Sequence, residues 1–376
     1  MTNALEELLA RLQAEPSEAG RLWLTLEHGL NAQPEVVQNA VWAAAIPHWF
    51  DESFLAALLG DEEFARLAAV DGWATLLKQS YVEPFPGHGY NVHERSRDVL
   101  LDRLWRTEPD RFRELSRRAA AYCNAQDQAD PAWTIERIYH FLISDPDEGA
   151  DQLTDMGWEW QNSPNFAYDL VEALTRAARE HVDAGRLEGR GRAWTHYWEA
   201  HLDVIYNRFR SAEERLALID LAPETDPHLQ ATRLAKSGEV HLQLAEYDQA
   251  RARYEEARPI YAGIGARLGE ANTIQALGDV HLSLAEYDQA RARYEEARPI
   301  YQAIGDRAGL ANILFKLGQT EWLAGDLPSA EPPLAEAVTL ASQFAPGHPV
   351  TQYFTEQLAA LRAELSAAHP PPAAQD

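Results

Sequence analysis

The sequence predicts a mostly α-helical protein: a right-handed solenoid of stacked helical hairpins, preceded by a small domain of helices with one β-hairpin. Three observations carry this. The block AEYDQARARYEEARPIY, Ala245 to Tyr261, recurs unchanged from Ala285 to Tyr301, an offset of 40 residues. A degenerate third copy follows at the same offset, LANILFKLGQTEWLAGDLPSAEPPLAEAV standing over EANTIQALGDVHLSLAEYDQARARYEEAR. Near the N-terminus, SYVEPFPGHGYNVH alternates as strand, turn and strand.

In chain order, residues 1–106 begin helix-rich to Gly60 and continue through Phe64 to Leu77. The hairpin then takes Tyr81 to Phe85 and Tyr90 to His93 as strands, with Pro86-Gly87-His88-Gly89 as the turn. Three helices followed by a hairpin predict a winged-helix-like domain. Residues 107–228 carry apolar residues at helical spacing over 112–122, 133–142, 167–180, 193–206 and 211–221, read as degenerate helical pairs. Trp158, Trp160, Trp194 and Trp198 are read there as packing residues, with a ligand-facing aromatic surface as the competing reading.

Residues 229–344 hold the three repeats. In the middle copy, helix A carries Ile274, Leu277 and Leu284, and helix B carries Ala290, Tyr294, Ala297 and Tyr301 on one stripe. One such pair cannot bury both apolar faces, so the copies must stack. Pro259 and Pro299 fall late in helix B and predict bends or early helix ends, as do Pro332 and Pro333 in the last copy. Residues 345–376 read as a capping helix, Thr351 to Leu365, with Phe354, Leu358 and Leu361 inward, and a short extended or disordered tail from His369.

The repeated Leu277-Gly278, Ala290, Tyr294 and Ala297, matched by Gly238, Ala250, Tyr254, Ala257 and by Leu317-Gly318, Ala330, Leu334, Ala337, resemble a tetratricopeptide repeat of the 40-residue type. The N-terminal part is similar to the winged helix and helical sensor arm of STAND-type signalling ATPases: Phe50 to Leu59, Leu76-Leu77, the hairpin, Val92-His93 with Arg97 and Leu100-Leu101, and Arg111 to Tyr122. That resemblance implies a vestigial nucleotide-sensor position at His93. No GxxxxGK[ST] phosphate loop occurs in the chain, so the resemblance leaves two alternatives open, a loss of the activity or an ATPase supplied in trans by a partner.

Composition excludes other classes. With 33 basic and 59 acidic residues the net charge is −26, which opposes sequence-independent grip on nucleic acid or an anionic membrane. The candidate recognition segment Glu62 to Ser80 carries Arg66 and Lys78 against Glu62, Glu63 and Asp71, the wrong balance for DNA. Cys123 is the single cysteine and reads as a buried thiol; a cytoplasmic location is expected from it and from the absence of a signal-peptide pattern or long apolar run. His196 and His201 are about 140° apart on a helix and do not share a metal. Asp98 and Asp102 read as a solvated face, and His241 and His281 as repeat-packing or groove residues. No catalytic constellation, metal or cofactor is expected.

The resemblance implies a concave groove lined by the A helices. The register of the shared glycines places Thr232, Ala235, Glu239 and Gln243; Asn272, Gln275, Asp279 and Ser283; and Asn312, Phe315, Gln319 and Trp322 along it. Asn and Gln can hydrogen-bond a peptide backbone. Glu239 and Asp279 favour a neutral-to-basic partner segment, with Phe315 and Trp322 as apolar anchors; the Lys/Arg clamp for a terminal carboxylate is absent. Two functions stay open: a non-enzymatic protein-interaction scaffold, and the ligand-sensing arm of a split or truncated STAND-type ATPase.

Overall fold

In the computed structural model, residues 2–163, 167–220, 222 and 225–368 are described. The chain divides into two compact units, Met1–Glu199 and Ala200–Asp376.

The first unit opens with α1 (Thr2–Ala14), α2 (Glu18–Asn31), α3 (Glu35–Ala45), α4 (Glu52–Leu59), α5 (Asp61–Ala69) and α6 (Gly72–Leu77). Strands β1 (Val82–Phe85) and β2 (Gly89–Val92) pair antiparallel with Phe85 opposite Gly89, so the turn is one residue tighter than the sequence suggests. Phe50 bridges Tyr90 beside them, through N–H···O bonds of 2.7 and 2.9 Å. Six helices rather than three precede the hairpin, α4 to α6 being the three next to it.

Next come α7 (Glu94–Thr107), α8 (Pro109–Asn124), α9 (Pro131–Ser144), α10 (Pro146–Gln161) and α11 (Tyr168–Asp183), and α12 (Gly189–Ile205) runs through the division at Glu199. The expected boundary at residue 106 is no break in packing: Phe112, Leu115, Ala119 and Cys123 of α8 share one core with Phe50, Phe54, Leu58 and Leu100. Helix α10 was not read from the sequence because its buried face is made of small residues, Gly149, Ala150, Thr154 and Gly157, around one leucine. A Cβ at Gly149 would stand 2.5 Å from the Leu142 backbone, and one at Gly157 would stand 2.3 Å from the Trp198 ring. Trp194 and Trp198 are fully buried, which settles them as packing residues.

The second unit continues with α13 (Phe209–Ala217), α14 (Pro227–Gln243), α15 (Tyr247–Gly263), α16 (Arg267–Ser283), α17 (Tyr287–Ile304), α18 (Arg307–Leu323), α19 (Leu327–Phe344) and α20 (Pro349–Ala368). Helix α13 ends at Ala217, short of the expected Leu221, which like the tail from His369 lies outside the described residues. Helices α14 to α19 are three antiparallel A–B pairs stacked in order, and α20 covers the last with Phe354, Leu358 and Leu361, as expected of a cap. The repeat glycines set the approach of A on B. A Cβ at Gly238 would meet the Tyr254 ring at 2.8 Å, one at Gly278 would meet Tyr294 at 2.4 Å, and one at Gly318 would meet Leu334 at 2.5 Å.

The prolines do not end their helices. α15, α17 and α19 run through Pro259, Pro299, Pro332 and Pro333. Pro259 and Pro299 sit on the exposed side of their helices, where water can take the carbonyl that each ring deprives of its donor.

Each A helix closes in the same way. The N–H of Glu246, Glu286 and Asp326 reaches back to the carbonyl of His241, His281 and Glu321, at 2.8, 2.9 and 3.0 Å. This six-to-one closure needs a left-handed residue just before it. Gly325 fills that place in the third repeat, but Ala245 and Ala285 fill it in the first two, at φ 58° and 56°. A left-handed alanine carries a steric cost of about 1–2 kcal/mol, partly offset because glycine gains more freedom on unfolding. Ala245→Gly and Ala285→Gly are therefore each expected to stabilise by about 0.5–1 kcal/mol, read as a raised midpoint of thermal unfolding. A lowered midpoint in both would refute the account. His241 and His281 staple these same turns, their Nδ1 atoms 2.7 and 2.6 Å from the Glu246 and Glu286 carboxylates.

Candidate functional site: the open face of the repeat A helices

Residues four and seven apart on α14, α16 and α18 fall on one face. The candidate side chains lie on it in three conditions.

Several are fixed by tyrosines from the B helices. The Tyr294 hydroxyl donates to Asp279 at 2.7 Å. The Tyr301 hydroxyl lies 2.7 Å from the Asn272 side-chain oxygen and 3.1 Å from that of Gln275. Tyr261 donates to Thr232, which is itself buried and donates to the His228 carbonyl at 2.8 Å. Burial first, and then the Asp279 carboxylate, push the Tyr294 pKa upward, so this hydroxyl stays a donor. The single Tyr301 hydrogen goes to the nearer oxygen, that of Asn272, which leaves the Asn272 NH2 group as a donor.

Others keep an open side. Gln243, Asn272 and Ser283 are exposed, while Gln275, Asn312 and Gln319 are half-buried.

The acidic members are already paired, which corrects the expectation of an acidic groove. Asp279 takes Lys316 Nζ at 3.1 Å from the neighbouring A helix, in addition to Tyr294. Glu239 takes Lys236 Nζ at 2.6 Å. The two lysines are the face residues missed from the sequence. Lys236 stands four after Thr232 and three before Glu239, and Lys316 occupies the same place in the third repeat, so helical spacing alone could have found them.

The aromatic pair is corrected too. Phe315 is 5% exposed and stacks on Phe354 of the capping helix, with ring centroids 4.3 Å apart; it belongs to the core. Trp322 is half-buried, with its indole N–H donating to Glu364 at 3.0 Å. Its exposed part, at the edge of α20, is the apolar surface this face still offers.

His93 caps the start of α7, exposed, at the rim of an open depression of about 370 Å³ that also contains Arg21 and Arg95. Arg95 is held by Glu18 at 2.8 Å, and Arg21 by the carbonyls of Glu15 and Pro16. His196 pairs with Glu199 at 3.2 Å and Asp102 with Arg106 at 3.0 Å. Among the described residues, no group of three or more His, Cys, Asp or Glu is placed to hold a metal ion, and no helix is long and apolar enough to cross a membrane.

The stacked A–B pairs, with small residues under the tyrosines and a capping helix, define an α-solenoid of helical hairpins. Residues 229–303 and 270–343 match the tetratricopeptide repeat family, and this segment is a tetratricopeptide-repeat array. No curated protein matches the sequence. Among solved structures, BtubC (BKLC) from P. vanneervenii is similar at 20% identity and a TM-score of 0.43, over 65% of this chain and 94% of that one. The STAND protein PH0952 from Pyrococcus horikoshii, described as having a tetratricopeptide repeat sensor, is similar at 13% identity and a TM-score of 0.45, over 95% of this chain and 57% of that one. A Rap protein complexed with Competence and Sporulation Factor is similar at 15% identity and a TM-score of 0.38, over 97% of both chains.

Proposed function

We propose that the chain is a non-enzymatic interaction module whose repeat A-helix face binds an extended segment of a protein partner. The observation that carries the reading is the row of amide and hydroxyl side chains on successive A helices, Gln243, Asn272, Ser283, Asn312 and Gln319, with Asn272 and Gln275 oriented by Tyr301. Fixed amides lose little side-chain entropy when they bond a peptide backbone, and they do so without regard to its sequence. Because Glu239 and Asp279 already have lysine partners, the segment they fit is neutral, or basic only where it displaces Lys236 or Lys316. Trp322 supplies the apolar contact at the C-terminal end.

Photo-crosslinking from the native host tests this, with a crosslinker at Asn272 or at Gln319 and a control at Gln289, exposed on helix B. The expected result is one recurrent product from the two A-helix positions and none from Gln289. Trp322→Ala is expected to weaken its recovery about tenfold, the scale of a partly buried aromatic anchor. Equal yields from all three positions would overturn the proposal.

A further inference from the structure

Among its departures from the other two, the first repeat differs at two positions that are buried in both later copies. Arg233 aligns with Thr273 and Ile313, and Ser237 aligns with Leu277 and Leu317. The later residues are all buried, and Leu277 packs with Ala250 and Tyr254 of the preceding B helix. These are therefore the places where helix A meets the B helix before it. For α14 that helix is α13, nine residues long where α15 has 17 and α17 and α19 have 18.

A polar pair opposite a short helix leaves a cavity of about 380 Å³, within the size range of small-molecule sites. Leu216 and Ala217 of α13 and Leu234 of α14 form its apolar wall; Arg233, Ser237 and Arg253 supply the polar one.

The charges around it do not balance. Glu213 also lines the cavity and is held by Arg210 at 2.8 Å. His241 is held by Glu246 at 2.7 Å, and Arg253 by Glu256 at 3.0 Å. Arg233 is met, among the described residues, only by the side-chain oxygen of Gln230, at 3.0 and 3.2 Å from two of its nitrogens. Burial and then the neighbouring Arg253 lower the Arg233 pKa, outweighing the attraction of Glu256. A partly desolvated guanidinium in this condition gains from any anion that enters.

We propose that this cavity binds a small organic anion, a carboxylate or a phosphate ester, with its oxygens on Arg233, Arg253 and the Ser237 hydroxyl and its carbon skeleton against Leu216, Ala217 and Leu234. The site lies off the A-helix face given to the protein partner, and it takes a ligand of a different kind.

Calorimetric titration of the full chain with inorganic phosphate and with butyrate, in separate arms at constant ionic strength, tests the assignment and shows which oxyanion is preferred. The variants are Arg233→Thr and Ser237→Leu, each installing the residue of the next repeat so that folding is preserved, with Arg293→Thr as a control. The expected result is saturable binding of at least one probe by the wild type and by Arg293→Thr. Arg233→Thr should weaken it at least about tenfold, the loss of a charge-assisted hydrogen bond, and Ser237→Leu should abolish it by filling the cavity. Failure of both probes to bind the wild type, or equal binding by the wild type and either cavity variant, would overturn the proposal. Neither result bears on crosslinking from Asn272.

Discussion

Arg97→Met is expected to destabilise the N-terminal unit by about 3–5 kcal/mol, the cost of removing one member of a buried ionic network. Arg97 is 6% exposed on α7. Its Nε donates to the carbonyls of Ala45 and Pro47 at 3.1 and 3.2 Å, and Nη2 to that of Ile46 at 3.2 Å and to the Tyr139 hydroxyl at 2.9 Å. Its Nη1 reaches Glu180 at 3.1 Å. The residues after α3 thus leave helical geometry with three carbonyls satisfied by one side chain, and methionine would leave them buried without donors. Lysine cannot repeat the fork, so Arg97→Lys should recover less than half of the loss. Arg66→Met removes an exposed ion pair with Glu62 and should change stability by about 0.5 kcal/mol or less. Denaturant unfolding followed by tryptophan fluorescence reads all three. A change below about 1 kcal/mol for Arg97→Met would contradict the network's weight in the fold.

How far the sequence revealed this molecule depends on how local each feature is. The repeats announced themselves through a block copied without change, and the cap through Phe354, Leu358 and Leu361 at helical spacing. The buried network was invisible, because His48, Arg97, Glu136 and Glu180 come from four separate stretches of chain with no spacing among them to read. Helix α10 was hidden for a different reason: Gly149 and Gly157 are small so that Leu142 and Trp198 can come close, and hydrophobic periodicity does not register glycine. On the repeat face the residue types were legible, but their state was not. Asp279 reads as an open charge until Lys316 is seen beside it on the next A helix, and Phe315 reads as an anchor until Phe354 covers it.

The same network gives the N-terminal unit a stability maximum close to pH 6.5. His48 has its ring between two carboxylates, Nδ1 2.7 Å from Glu136 and Nε2 3.1 Å from Glu180. Burial and Arg97 oppose its protonation, but the Glu136 charge and the hydrogen bonds to both carboxylates outweigh them and raise it to about 9. Glu136 is held well below the carboxylate range, and Glu180 at about 2, because His48, His140 and Arg97 offset the burial that would raise them. The other groups facing the site are Tyr139, which burial keeps neutral, and His140, His181 and Arg186. Burial lowers His140, and burial with Arg186 lowers His181 far below its ordinary value.

Between about pH 6.5 and 9 the folded unit holds one proton more than the unfolded chain, on His48, so stability falls as pH rises, by about 3 kcal/mol across the window. Below pH 6.5 both states protonate His48, whereas the folded unit resists protonating His140 and, more strongly, His181. Stability therefore falls as pH drops, before any carboxylate reaches its ordinary range. His48→Gln keeps a donor to Glu136 and removes the alkaline limb; His140→Gln should make the acid limb shallower. Urea midpoints measured from pH 5 to 9 on the full chain check both limbs. An alkaline slope that is the same in the wild type and in His48→Gln would show that the proton is lost elsewhere, and that the Glu136–His48–Glu180 bridge does not hold its charge at neutral pH.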